Sequence, residues 1–160
     1  MGEDYSAKSP LCVDLDGTLI KTDLLWESLL ALLKQNPLSM FLLLFWLLKG
    51  KAHFKYEIAR RVTLDASTLP YDEDLIAFLT EEKRCGRPLV LATASHVSFA
   101  HAVDSHLGLF EGQVFGSDAS INLKGARKVA LLVERYGNHR FAYAGNSSAD
   151  LPVWADADEA

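Results

Sequence analysis

Cysteine is nearly absent from this chain: Cys12 and Cys85 are the two in 160 residues. They share no metal-ligand spacing and build no disulfide framework, so both are read as free thiols in a reducing compartment. The five histidines, His53, His96, His101, His106 and His139, show no ligand spacing either and are read as surface or packing residues. A membrane-length hydrophobic run is also missing. The longest apolar stretch, Met40 to Leu48, has nine residues, against about 20 needed to span a bilayer. It is read as a helix buried on most sides, or as one that lies against a partner or a membrane surface. An excess of positive charge is lacking too: the net charge is −5, so no global basic field invites nucleic acid. The first ten residues are polar and contain no apolar core, so they do not read as a secretory signal. The localisation expected is cytoplasmic.

What is present fits one globular domain with a real core, since apolar residues make up 49% of the chain and charged residues 23%. After a loosely held leader over residues 1–9, Leu11 to Asp14 reads as a short buried strand. Thr22 or Asp23 caps a helix from Leu24 to Lys34. Asn36 caps a second helix with Pro37 at its first position, ending near Gly50. A third helical piece covers Lys51 to Val62, and its basic residues are read mainly as a solvated face. Asp72 to Arg84 is amphipathic, with Gly86 as its stop. The period then changes. Pro88 to Thr93 is a strand followed by a helix from Ala94-Ser95 to Leu107, and Gln113 to Gly116 is a strand. Ile121 to Gly125 is a turn or short strand, Ala126 to Tyr136 a helix, and Arg140 to Ala144 a strand. A last helix runs to about Ala155. Strands alternating with helices predict an α/β fold with a parallel, doubly wound sheet. The core comprises residues 10–20 and 71–160, and residues 21–70 form a small helical cap inserted after the first strand. A further strand usually follows the last helix of such a sheet, so the chain reads as a domain of a longer protein or one lacking its final strands.

The chemistry concentrates where Leu11-Cys-Val13 ends in Asp14 and Asp16, with Gly17 and Thr18 next. A buried strand has no structural use for two unpaired carboxylates, because desolvating an unpartnered charge is costly. Ligands of open α/β sheets sit at the carboxyl ends of strands. Something cationic belongs there. The plainer reading is a turn held by Asx-type hydrogen bonds.

The pattern Asp-x-Asp-Gly-Thr-Leu resembles the first motif of the haloacid dehalogenase (HAD) superfamily. Three later stretches resemble the remaining motifs in order: Leu89 to Thr93, a strand ending in threonine; Gly125-Ala-Arg-Lys128 at a helix start; and Gly145-Asn-Ser-Ser-Ala-Asp150. The resemblance implies that Asp14 is a nucleophile forming an aspartyl phosphate, and that Asp16 is the general acid and base. It implies that Thr93, Ala94 and Lys128 bind the phosphoryl group, with Lys124 as the other candidate for the lysine. A Mg²⁺ ion would be held by the Asp14 carboxylate, the Asp16 backbone carbonyl and a side chain of the fourth motif. There the pattern departs from the family, because Asn146 stands where an acid is normal. Asp150 would ligate through water or hold the lysine.

The resemblance implies a Mg²⁺-dependent phosphomonoester hydrolase, phosphoserine-phosphatase-like, with a C1-type cap. The alternative is a HAD-like regulatory or interaction module with weakened catalysis. The whole chain is similar to HAD-like amino-terminal domains fused to UbiA-type membrane prenyltransferases. The expected substrate is accordingly a phosphorylated small molecule or a polyprenyl-phosphate-like compound. The cap, with Met40 to Leu48 beside the basic residues 49–61, is expected to touch a membrane domain or lipid, so that membrane association accompanies the cytoplasmic reading.

Overall fold

The computed structural model describes residues 8–160, and the expected leader falls outside the described residues up to residue 7. Four parallel strands form one sheet in the order β3-β2-β1-β4: β1 Leu11–Val13, β2 Leu89–His96, β3 Val114–Ser117 and β4 Ala142–Ala144. The central strand β1 aligns Leu11 with Leu89 on one side and with Ala142 on the other. The chain steps outward from β1 to β2 to β3, then returns to the far side of β1 as β4. That reversal opens a crevice at the carboxyl ends of β1 and β4, the place where such sheets bind ligands.

Alternation along the strands builds two cores, one on each face. Leu11, Val13, Leu89 and Leu91 point to one face, where Leu79 of α4 (Glu73–Arg84) and Phe99 and Val103 of α5 (Val97–Leu107) cover them. Cys12, Val90, Ala92 and Tyr143 point to the other, against Leu132 of α6 (Ala126–Tyr136) and Val153 of α7 (Leu151–Asp156). The sheet is therefore doubly wound. Arg87 ties three segments of its rim together: its guanidinium donates to the Ser9 carbonyl and to the carboxylates of Glu82 and Glu159, at 2.8–2.9 Å. Beyond α7 one parallel bridge joins Glu159 to Ala142, where the sequence leads one to expect a further strand.

After β1 and before α4 the chain inserts α1 (Leu24–Gln35), α2 (Ser39–Leu48) and α3 (Lys51–Ala59), with a small core of their own around Leu32, Trp46, Ile58 and Val62. Asp23 is the cap of α1, accepting from the Leu25 N–H at 2.8 Å. Several boundaries differ from the sequence reading. Asn36 does not start α2. It closes α1 instead, and its side chain accepts from the Leu38 N–H in an Asx-type turn, so that helix begins two residues after Pro37. Strand β2 continues through Ala94 and Ser95 to His96, whose imidazole nitrogen then caps α5. This extension works because Gly116 lets β3 pass close by: a Cβ there would stand 2.7 Å from the Val97 Cα. The expected burial of α2 on most sides is wrong. The insert is a single layer, so α2 has one packed line, through Ser39 and Trp46 with Leu43 half-buried, while Phe41 is 74% exposed and Leu48 80%.

The packing makes two substitutions diverge. Leu91 is fully buried, so Leu91→Ala is expected to cost about 2–5 kcal/mol in urea unfolding. Phe41→Ala, at an exposed site, is expected to stay within about 0.5 kcal/mol of the parent.

Candidate active site

β1 delivers Asp14 to the crevice, where its N–H donates to the Ala144 carbonyl of β4 at 2.9 Å. Leu15 turns into the core and Asp16 turns back out. Gly17 follows with φ +75°, a left-handed conformation that disfavours any side chain, and a Cβ there would lie 2.7 Å from the Asn146 amide nitrogen. The order Asp-Leu-Asp-Gly is thus an acid, a core anchor, a second acid and a turn.

Each acid is held differently. Asp16 accepts from the Leu24 N–H (2.8 Å) with one oxygen, and from the Ser95 hydroxyl (2.6 Å) and the Thr93 hydroxyl (3.3 Å) with the other. It thereby joins the start of the helical insert to the end of β2. Asp14 accepts from the Lys128 ammonium through Oδ1 at 3.0 Å, and Oδ2 is left without a hydrogen-bond donor among the described residues. Lys128 is buried at the start of α6, and its ammonium also donates to the Tyr143 hydroxyl at 2.7 Å. That hydroxyl donates to Asp150 at 2.8 Å, while the Ser147 N–H and hydroxyl hold the other Asp150 oxygen at 3.1 and 2.8 Å. The chain Ser147, Asp150, Tyr143, Lys128 and Asp14 is continuous.

Burial pushes the Asp14 pKa up from 3.8 to about 6, against the opposing charge of Lys128 and with help from Asp150 and Asp16. Burial raises Asp16 too, opposed by the hydrogen bonds from Ser95 and Leu24. At Asp150 burial again acts upward, but the donors Ser147 and Tyr143 and the Lys128 charge outweigh it and hold the acid below its ordinary range. Burial drives the Tyr143 phenol far up, so it stays a proton donor to Asp150.

The crevice is a cavity of about 460 Å³, in the size range of small-molecule sites. Asp14 and Asp16 face it together with Lys51, Lys55, Lys124 and Lys128, and Leu25, Leu47 and Phe54 give it an apolar wall from the helical insert. The ammonium of Lys55 crosses from α3 to donate to the Ala94 carbonyl at 2.6 Å. Burial lowers its pKa.

The family model described as haloacid dehalogenase-like hydrolase matches residues 11–154. This chain belongs to the haloacid dehalogenase-like hydrolase family. Solved structures share the fold of this HAD-like hydrolase. A phosphoserine phosphohydrolase-like protein of Francisella tularensis aligns with TM-score 0.62 and 12% identity, over 94% of this chain and 84% of that one. A substrate-bound phosphoserine phosphatase aligns with TM-score 0.64 and 13% identity, over 94% and 83%. A HAD family hydrolase of Salmonella enterica serovar Typhi aligns with TM-score 0.65 and 15% identity, over 97% and 62%. In sequence, the uncharacterized protein y4nM of Sinorhizobium fredii is 38% identical over 156 residues, which is 98% of this chain but 30% of that protein. The HAD-like hydrolase chain thus spans under a third of that relative's length.

The site residues named from sequence do not all meet in one place. Asp14, Asp16 and Lys128 do, and it is Lys128 rather than Lys124 that reaches Asp14; Lys124 lines the cavity from an exposed loop. Thr93 is fully buried below the cavity floor, accepting from the Ser95 N–H at 2.9 Å, and the hydroxyl at the cavity is that of Ser95. The cause is the longer β2: residues 93 and 95 share a side of the strand, and the later one reaches the rim. Ala94 lines the cavity with its carbonyl engaged by Lys55 and by the Ser117 hydroxyl. Sequence reasoning also missed Tyr143 and Lys55. The first sits in a strand of alternating type, and the second in a basic run read as a solvated face.

A hard divalent cation takes oxygen ligands, commonly one or two carboxylates with phosphate oxygens and water completing the shell. Asp14 Oδ2 meets that description, but Asn146 is turned away, its amide donating to the Gly17 carbonyl, and both Asp150 oxygens are engaged. Among the described residues no group of three or more His, Cys, Asp or Glu side chains is placed to enclose a metal. What the described residues offer such a cation is the unengaged Asp14 Oδ2, and the fourth motif brings no free anion beside it.

Two measurements test this geometry. In the metal-free protein the Asp14 carboxyl carbon should titrate by NMR near pH 6, where ordinary aspartates have already lost their protons at ~4. Because the shift is upward, the Asp14 carboxylate is scarce at pH 5 and complete above pH 7, and added Mg²⁺ should move the midpoint down. Tyr143→Phe leaves buried Lys128 and Asp150 each short of a partner and should cost about 1–3 kcal/mol of stability.

Proposed function

We propose that this hydrolase is a Mg²⁺-dependent phosphomonoesterase working through an aspartyl-phosphate intermediate. The observation that carries the reading is the pairing of Asp14 and Asp16 at one cavity, with a buried lysine on the first acid and an unengaged oxygen beside it. HAD-family hydrolases are generally Mg²⁺-dependent; the ion would be held by Asp14 with the Asp16 carbonyl and would neutralise phosphoryl charge.

The Asp14 carboxylate attacks phosphorus, and the bond from phosphorus to the ester oxygen breaks. Asp16, its pKa raised by burial, gives its proton to the leaving alkoxide. The resulting carboxylate then takes a proton from water, whose oxygen attacks phosphorus and releases inorganic phosphate from Asp14. Lys128 neutralises charge on Asp14 and on the equatorial oxygens while Tyr143 and Asp150 keep it in place. The Ser95 hydroxyl and Lys55 stand at the rim where further phosphate oxygens arrive. In this reading residues 21–70 act as a C1-type cap, choosing a phosphorylated small molecule or, in the setting of a UbiA-type fusion, a polyprenyl-phosphate-like one. The apolar wall of Leu25, Leu47 and Phe54 supports a substrate with an apolar portion.

A second reading, a HAD-like module with weakened catalysis, is favoured by Asn146. Its amide is spent on the Gly17 carbonyl and adds no charge to a cation site. Release of phosphate from p-nitrophenyl phosphate separates the two. Mg²⁺-dependent turnover that disappears in Asp14→Asn and falls by about 10²–10⁴ in Asp16→Asn supports the enzyme. A silent parent across a broad phosphate panel, with turnover appearing in Asn146→Asp, would establish the weakened module instead.

A further inference from the structure

Among the described residues the outer face of α2 has no partner. Met40, Phe41, Leu44, Phe45 and Leu48 are each more than half exposed, a contiguous apolar surface that monomeric proteins rarely leave in water. The charges of the segment that carries it are of one sign. Residues 28–56 contain four lysines and neither aspartate nor glutamate, in a chain of net charge −5. Lys55 turns inward to the cavity, Lys51 also lines the cavity, and exposed Lys34 and Lys49 flank the apolar helix along the chain. The Lys49 ammonium lies 4.6 Å from the Phe45 ring centroid, with its stem along the apolar surface and its charge at the edge.

We propose that α2 docks the protein onto an anionic lipid surface, lying in the headgroup region with its apolar face down and the lysines among the phosphates. The helix has ten residues, roughly 15 Å against a hydrocarbon core of about 30 Å, so it lies in the interface rather than crossing it. No described helix is long and apolar enough to cross. A second copy of the chain is the poorer occupant, because a two-fold contact would bring these lysines together with no acid in residues 28–56 to answer them. Anionic headgroups supply the missing negative charge. Leu47 belongs to α2 and also lines the cavity, so docking sets the cavity mouth beside the lipid. This proposal does not depend on the phosphatase reading.

Flotation of the whole chain with vesicles tests it. The parent should float with phosphatidylcholine vesicles containing about one-third phosphatidylserine, and bind pure phosphatidylcholine at least about tenfold more weakly, with the difference shrinking as salt rises. Phe41→Glu with Leu48→Glu should reduce flotation at least about tenfold at an unchanged unfolding midpoint, since both side chains face water in the fold. Lys34→Glu with Lys49→Glu should abolish the preference for anionic vesicles. A parent that floats with neither vesicle overturns the proposal, as does a Phe41→Glu, Leu48→Glu variant that floats like the parent. A parent that fails to float and sediments as a dimer dissociated by Phe41→Glu assigns the face to a second copy instead.

Discussion

The pairing of a desolvated carboxylate with a buried ammonium organises this molecule. Asp14 stands at the end of the innermost strand, where burial would keep it protonated, and Lys128 arrives from the far side of the sheet to oppose that. Neither charge is tolerable alone in such surroundings. Lys128 must therefore be aimed, and the Tyr143 hydroxyl and the Asp150 carboxylate aim it. Asp150 in turn is held by the Ser147 capping box that opens the last helical segment. One ion pair thus ties β1, β4, α6 and the approach to α7 into a single arrangement, and the cavity is the space left beside it.

Asp16 has a different task. Its two oxygens bind the first N–H of α1 and the hydroxyls at the end of β2. The residue named as acid and base is also the one that couples the helical insert to the core. The reach of Lys55 from α3 to the Ala94 carbonyl makes a second coupling across the same cavity. Movement of the insert would alter both contacts at once, so the shape of the cavity and the hydrogen bonding of Asp16 are linked.

The insert differs from the core in what it buries. The core covers both faces of its sheet, and its alternating strands leave few large apolar side chains in water. The insert is one helix deep, and α2 is apolar on nearly every side, so packing a single line of it against α1 and α3 leaves the rest outward. An apolar run of this length reads from sequence as a buried helix because most such helices have neighbours on several sides. The number of layers decides the matter, and layer number is not a local property.

The order of elements, the parallel sheet and the Asp14 and Asp16 pair followed from local pattern: period, capping residues, glycine stops and acids at a strand end; the lysine at the start of α6 followed from the family resemblance. Those features are set by neighbours a few residues apart in the chain. Tertiary structure alone decided why Ser95 rather than Thr93 reaches the cavity, that Asn146 is spent on Gly17, and that Lys55 turns inward while Lys49 does not. Each of those outcomes joins residues from separate elements, and each is settled by where a strand ends or how closely two backbones approach. Spacing along the chain carries no record of such distances.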